Sequence, residues 1–243
     1  MNKKIGIMVN EIVFPNLPVI LKNAGYDFML LDCEHGPFDF AAAAAYASVA
    51  KLCGLKMIVR IAQCLRKDIT RYMDMGADGV LLAMTSDAAQ IEEVVRYAKY
   101  APVGKRGIST MRAHTMYAPP ALAGYMREAN EKTFVYAQIE TAEGVKNARD
   151  IASVRGVDGL LFGPNDYACD IAAAGDGAAV CKAIVSVAES AAAAGKESGL
   201  ISGVPEFVKT AAAAGMSVFS LASELGLLSA AAKENVRSAG ELL

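Results

Sequence analysis

Eight short apolar runs recur along the chain, each followed by a longer segment rich in Ala, Leu, Lys and Glu. The runs are β-rich and span 5–9 (IGIMV), 27–32 (DFMLLD), 56–61 (KMIVRI), 79–84 (GVLLAM), 134–140 (FVYAQIE), 158–163 (DGLLFG), 199–202 (GLIS) and 216–221 (MSVFSL). Helix-compatible segments follow at about 16–24, 39–53, 66–75, 87–99, 143–153, 177–195, 205–214 and 223–240, several ending in glycines suited to a left-handed cap. Such alternation builds βαβ units on a parallel sheet. Eight of each, in 243 residues without a composition break, predict one (β/α)8 TIM barrel spanning 1–243 rather than an open doubly wound sheet. The alanine tracts at 41–45, 191–194 and 211–214 fall where helices are due and read as helix, because alanine is the best helix former.

The 24 basic and 26 acidic residues are spread along the chain, so no patch asks for nucleic acid or an anionic membrane. A small molecule is the expected partner. The cysteines (Cys33, Cys53, Cys64, Cys169, Cys181) are odd in number and form no C-x-x-C pair, which argues against a disulfide framework or a thiolate zinc site. No apolar run reaches the about 18 residues of a membrane span, and the first residues do not read as a signal peptide. A soluble, unprocessed protein of the reducing cytoplasm is expected.

In a barrel, reacting groups gather at the carboxyl ends of the strands. That rule selects Asp32, Glu34 and His35 in "LDCEHGP" after the second run, Arg60 ending the third, Gln138 and Glu140 ending the fifth, and Asn165 and Asp166 in "GPND" after the sixth. Glu140 and Asp166 could be two oxygen ligands of Mg2+ or Mn2+, with water and substrate completing the shell. Alternatively Glu140 joins an N-cap network with Thr141, and Asp166 caps a turn after Pro164. Arg60 could bind a carboxylate or an enolate oxygen, or form a salt bridge to Asp32 or Glu34 across the mouth. His35 could act as a general base or be structural. His114 lacks such placement and reads as a solvated side chain. The irregular stretch 101–118, followed by a short helix at about 119–131, carries Gly104, Arg106, Gly107, Ser109 and Arg112 and is expected to be ordered and to face a ligand.

No lysine stands near a strand's carboxyl end for a Schiff base, since Lys56 and Lys196 precede their strands. The loops "SGVPEF" and "ASELGLL" after the last two strands lack a Gly-rich phosphate cradle. Metal-assisted chemistry on an unphosphorylated acid is therefore favoured.

Read together, "GYDFMLLDCEHGPFD", "MIVRI", "YMDMGADGVLLAM", "YAPVGKRGI", "YAQIETAEGVKN" and "GVDGLLFGPNDYA" resemble, in order and over most of the chain, the HpcH/HpaI family of class II, pyruvate-using aldolases. The resemblance implies cleavage or formation of a 4-hydroxy-2-keto acid, giving pyruvate and an aldehyde through a metal-stabilised enolate. It implies Glu140 and Asp166 as ligands of a divalent ion, Mg2+ or Mn2+ with Co2+ as a further candidate. Arg60 becomes the essential arginine, His35 with Asp74 a catalytic dyad, and Gln138, Gly163 and Asn165 contacts to the pyruvate moiety. A homo-oligomer, with a hexamer among the candidate states, is also implied.

Asp74 ends the third helix, and helices run back from the catalytic end. About nine residues at roughly 1.5 Å each carry it some 13 Å away, so His35 and Asp74 are expected to meet across a subunit interface if they meet at all. Two departures from the family pattern, the alanine-rich "GPNDYACDIAAAG" and "SLASE", where relatives often carry Asp near Glu224, leave the aldehyde open. Alternatives are a C–C lyase of the citrate lyase β or malyl-CoA lyase kind, and a non-catalytic keto-acid-binding barrel.

Overall fold

The computed structural model describes residues 3–172 and 175–242, so Ala173 and Ala174 of the alanine-rich departure lie outside the described residues. The chain runs β1 (Lys4–Val9), α1 (Leu17–Asn23), β2 (Phe28–Asp32), α2 (Phe40–Cys53), β3 (Lys56–Ile61), α3 (Arg66–Met75), β4 (Gly79–Leu82) and α4 (Ala88–Ala98). It continues with α5 (Leu122–Lys132), β5 (Phe134–Ile139), α6 (Ala142–Ser153), β6 (Gly159–Phe162), α7 (Pro164–Asp170), α8 (Gly177–Ala193), β7 (Glu197–Ile201), α9 (Pro205–Ala213), β8 (Val218–Ser223) and α10 (Glu224–Gly240). The strands pair in parallel in sequence order and close β8 onto β1, which makes the expected eight-stranded barrel.

Strand side chains alternate between two cores, as the period-2 pleat requires. Ile7, Val9, Met29, Leu31, Val59 and Val80 point outward and pack under the helices. Met8, Leu30, Ile58, Leu81, Tyr136 and Leu161 point inward and plug the barrel. Each fully buried aliphatic side chain contributes about 1.5–3 kcal/mol relative to exposure. Continuing the inward row in steps of two reaches Asp32 from Leu30, Arg60 from Ile58, and Gln138 and then Glu140 from Tyr136. The same alternation that packs the plug therefore delivers polar groups to its carboxyl end.

The amino-terminal end is stitched differently. In "GYD", "GAD" and "GVD" the aspartates Asp27, Asp78 and Asp158 each accept a backbone N–H from the preceding strand, donated by Ile5, Met57 and Val135. Lys56 and Lys99 bind Asp78 and Asp158 there, and Lys196 Nζ donates to the Val157 carbonyl. These lysines are committed to the end away from the strand tips.

Three features depart from the sequence reading. The "GPND" segment opens the helix α7 rather than a simple turn, with Pro164 in its first turn. The stretch 101–118 does not face its own barrel mouth. It leaves α4 at the amino-terminal end, forms a 3-10 turn at Ala113–Thr115, and lays Arg106 and His114 on α3. His114 is correspondingly buried rather than solvated, its side chain 6% exposed. Finally, α10 stands off the barrel: Leu225–Arg237 are all exposed, including Leu225, Leu228 and Val236 on one helical stripe. Ile5 of β1 and Val19 and Ile20 of α1 are exposed as well.

Candidate active site

The loop "LDCEHGP" is organised by one carboxylate. Asp32 Oδ1 accepts the backbone N–H groups of Glu34 and His35, both at 3.1 Å, and the chain folds back so that the Gly36 N–H donates to the Asp32 carbonyl. A Cβ at Gly36 would lie 2.3 Å from that carbonyl oxygen and 2.6 Å from the carbonyl oxygen of Asn10, so the turn closes only on glycine. The register of β2 on β3 sets Asp32 beside Arg60. The guanidinium spans the carboxylate as a fork, Nε to Oδ1 at 3.0 Å and Nη2 to Oδ2 at 2.6 Å, and Nε also lies 3.4 Å from Glu34 Oε2.

Both partners are buried, which makes the pairing obligatory. Burial alone would raise the Asp32 carboxyl, but the Arg60 hydrogen bond and charge, with the two loop amides, hold it below the usual carboxylate range. Glu34 moves the other way. Burial raises it, Arg60 and His35 oppose, and the negative charges of Asp32 and Asp166 add to the rise. His35 projects from the mouth with its side chain 70% exposed and Nε2 3.9 Å from Glu34.

Across the mouth, Glu140 is 1% exposed. Its Oε1 accepts the Met84 N–H at 2.6 Å, which the left-handed backbone of Met84 at φ 49° aims inward, and its Oε2 accepts from Gln138 Nε2. Burial pushes the Glu140 carboxyl up to about 7, and the nearby charge of Asp166 pushes the same way, against the Met84 amide and Arg60. Gln138 Oε1 is buried with no hydrogen-bond partner among the described residues. Gly163 leaves room for this pair, since a Cβ there would come 2.5 Å from Glu140 Oε2 and 3.0 Å from Gln138 Nε2. Asp166 and Asn165 stand in the first turn of α7 beside them.

A cavity of about 620 Å³ opens over Arg60 and Asn165 toward the ends of β1, β7 and β8. Asn10, Ser202, Ser220 and Ser223 line it, and these the sequence reading did not select. Asn10 directly follows a strand, so the strand-end rule applied evenly would have found it. The Met84 amide carries no side-chain signal at all.

Asp74 is not in this group. At the end of α3 its Oδ1 accepts from Arg106 Nη2 at 2.6 Å, and His114 Nδ1 lies 3.3 Å from its backbone oxygen. Burial and the Arg106 charge hold the His114 imidazole below its ordinary value, against the pull of Asp74. Within one chain His35 and Asp74 thus belong to opposite ends of the barrel.

One cation therefore faces several carboxylates from separate strand ends around one small cavity. Residues 15–231 match the family model of HpcH/HpaI aldolase/citrate lyase. The chain is 33% identical to the hydroxypyruvate/pyruvate aldolase of Rhizorhabdus wittichii over 91% of its length and 88% of that protein. It is 30% identical to the 5-keto-4-deoxy-D-glucarate aldolase of Shigella dysenteriae, over 88% of its length and 84% of that protein. The crystal structure of an HpcH/HpaI aldolase from Desulfitobacterium hafniense superposes with a TM-score of 0.94 at 29% identity, covering 100% of this chain and 94% of that one. The chain belongs to the HpcH/HpaI aldolase/citrate lyase family, and with it to the carbon–carbon lyases.

Proposed function

We propose that the barrel mouth cleaves a 4-hydroxy-2-keto acid to pyruvate and an aldehyde, and runs the reverse condensation. The observation that carries this reading is the convergence of Arg60 with the buried Glu140 and the exposed Asp166 at one end of the barrel. Among the described residues no three His, Cys, Asp or Glu side chains form a metal-ligating group. The donor set suits a hard divalent ion nonetheless: two carboxylates, one raised by burial and by its neighbour, with the unpartnered Gln138 Oε1 close by. Glu140 and Asp166 would hold Mg2+, Mn2+ or Co2+. The bound ion would supply Lewis-acid polarisation of the keto acid.

The chain's own groups do the rest. Arg60 commits Nε and Nη2 to Asp32, and Nη1 makes no hydrogen bond to a described residue, so it can donate to the oxygen that gains charge as the C3–C4 bond breaks. The Asp32 carboxylate keeps the guanidinium from swinging. Asn165 and the Gly163 backbone border the pyruvate moiety. His35, exposed at the rim, would take the 4-hydroxyl proton. The exposed stripe of α10 supports a homo-oligomer, since a second copy would cover it. Among the described residues no helix is long and apolar enough to cross a membrane, and the five cysteines are unpaired, in keeping with the cytoplasm.

Exchange of pyruvate methyl protons with solvent deuterium tests the reading without knowledge of the aldehyde. Exchange should appear with Mg2+, Mn2+ or Co2+, stop in excess EDTA and return with added metal. A silent pyruvate spectrum under all three ions would leave a binding protein. Full activity in EDTA with borohydride trapping of pyruvate would overturn the metal requirement. Gly163→Ala gives a narrower check, because its methyl displaces Glu140. Divalent-ion affinity in a calorimetric titration should fall about 10- to 100-fold, as when the support of a metal ligand is removed, and unchanged affinity would place the ion elsewhere.

A further inference from the structure

The cavity wall formed by β1, β7 and β8 sets uncharged polar groups, Asn10, Ser202, Ser220 and Ser223, among apolar ones such as Met8, Ile201, Val204 and Leu221. Arg60 is the only ionised residue among the described residues that line it; its Nε and Nη2 hold Asp32, and Nη1 is the donor assigned to the pyruvate oxygen. Ser220 is 4% exposed, and its Oγ has no hydrogen-bond partner among the described residues. The same holds for Asn10 Oδ1. Ser202 Oγ accepts the Val204 N–H and Ser223 Oγ accepts the Gly226 N–H, which leaves each hydroxyl proton free to be donated. Unpaired buried polar groups cost free energy until a ligand or water satisfies them.

At the pyruvate side Arg60 offsets Asp32 and the bound ion would offset Glu140 and Asp166, which leaves Glu34, and Glu224 lies behind the β8 end with Oε1 accepting the N–H groups of Asn10, Glu11 and Ile12. Its Oε2 is unpartnered among the described residues. A carboxylate-bearing tail would meet Glu34 and Glu224 and, with Nη1 on the pyruvate oxygen, no further cation among the described lining residues.

We infer that the aldehyde half of the substrate is short, uncharged and hydroxylated, with its hydroxyl groups hydrogen-bonded by Ser220, Asn10 and the neighbouring serines. This rests on the aldolase reading and assigns the part of the cavity that pyruvate leaves open. Methyl-bearing or long apolar aldehydes would strand the same polar groups.

The test uses the full chain, loaded with Mn2+, with pyruvate as donor. Glyceraldehyde, propanal and succinic semialdehyde are compared as acceptors by kcat/KM. Glyceraldehyde should exceed succinic semialdehyde by at least about tenfold, a modest fraction of the cost of a like-charge encounter. It should also exceed propanal. Because a hydroxyl next to the carbonyl raises intrinsic reactivity, the deciding quantity is the glyceraldehyde-to-propanal ratio in Ser220→Ala and Ser202→Ala. That ratio should fall about three- to tenfold in at least one variant, the loss expected for one neutral hydrogen bond. Preference for succinic semialdehyde, or an unchanged ratio in both variants, overturns the inference. Pyruvate methyl exchange, run on each variant, reports folding and separates the two failures: its absence from the parent chain sinks the aldolase reading, whereas its presence with the wrong aldehyde preference sinks only this one.

Discussion

Arg60→Lys should lower kcat about 10²- to 10³-fold while preserving both the positive charge and the fold. That is the size of effect seen when one preorganised donor to a developing oxyanion is removed. The guanidinium holds Asp32 with two nitrogens and keeps Nη1 for substrate. An ammonium is a single point of charge that must choose between them. With Asp32 buried beside it, the lysine would remain on the carboxylate, and the substrate oxygen would lose its donor. The competing view is that Arg60 only neutralises Asp32 and Glu34. On that view the variant loses some thermal stability but keeps near-normal turnover. Measuring kcat and Tm on the same preparation separates the two, and a lowered Tm with unaltered kcat would reduce Arg60 to a structural ion pair.

The strands were readable because a parallel barrel buries both faces of its strands, so they read as apolar runs with few polar interruptions, Ser198 in β7 and Ser220 in β8 among them. The expected bounds differ from the observed ones by at most two residues, as at 216–221 against Val218–Ser223. Arg60 and Glu140 stood out for the complementary reason, as charges terminating such runs. What the chain order hides is which surface a polar segment meets. Gly-Pro-Asn-Asp is good turn chemistry and also a good helix start, and only the packing of α7 beside Glu140 decides between them. Arg106 and His114 read as ligand-facing and solvated, yet a loop leaving a helix's carboxyl end must begin at the amino-terminal side of the barrel, where Asp74 receives both. The helix at 223–240 was evident from its composition, but alanines and leucines do not say whether it packs on its own barrel. The exposed stripe from Leu225 to Val236 shows that, beyond Glu224 held at the β1 end, it does not.

Equal mixing of inactive His35→Ala and Asp74→Ala subunits should restore about a quarter of the parent activity if each site takes His35 from one subunit and Asp74 from its neighbour. Under random assembly half the sites carry an intact His35, and half of those meet an intact Asp74. Each single variant should first lose about 10²- to 10⁴-fold, the usual contribution of a positioned general base. The geometry that motivates the experiment is an asymmetry between the ends of one chain. His35 is 70% exposed at the mouth with only Glu34 near it, whereas Asp74 sits at the far end with Oδ1 fastened to Arg106 and Oδ2 free of hydrogen bonds to described residues. A carboxylate already fixed by a buried arginine can orient an incoming imidazole and favour its protonated form without paying to be ordered. If Asp74 serves only to close α3 against Arg106 and His114, Asp74→Ala alone will retain activity. No recovery on mixing, despite subunit exchange verified by mass, would leave His35 without a partner from the neighbouring chain.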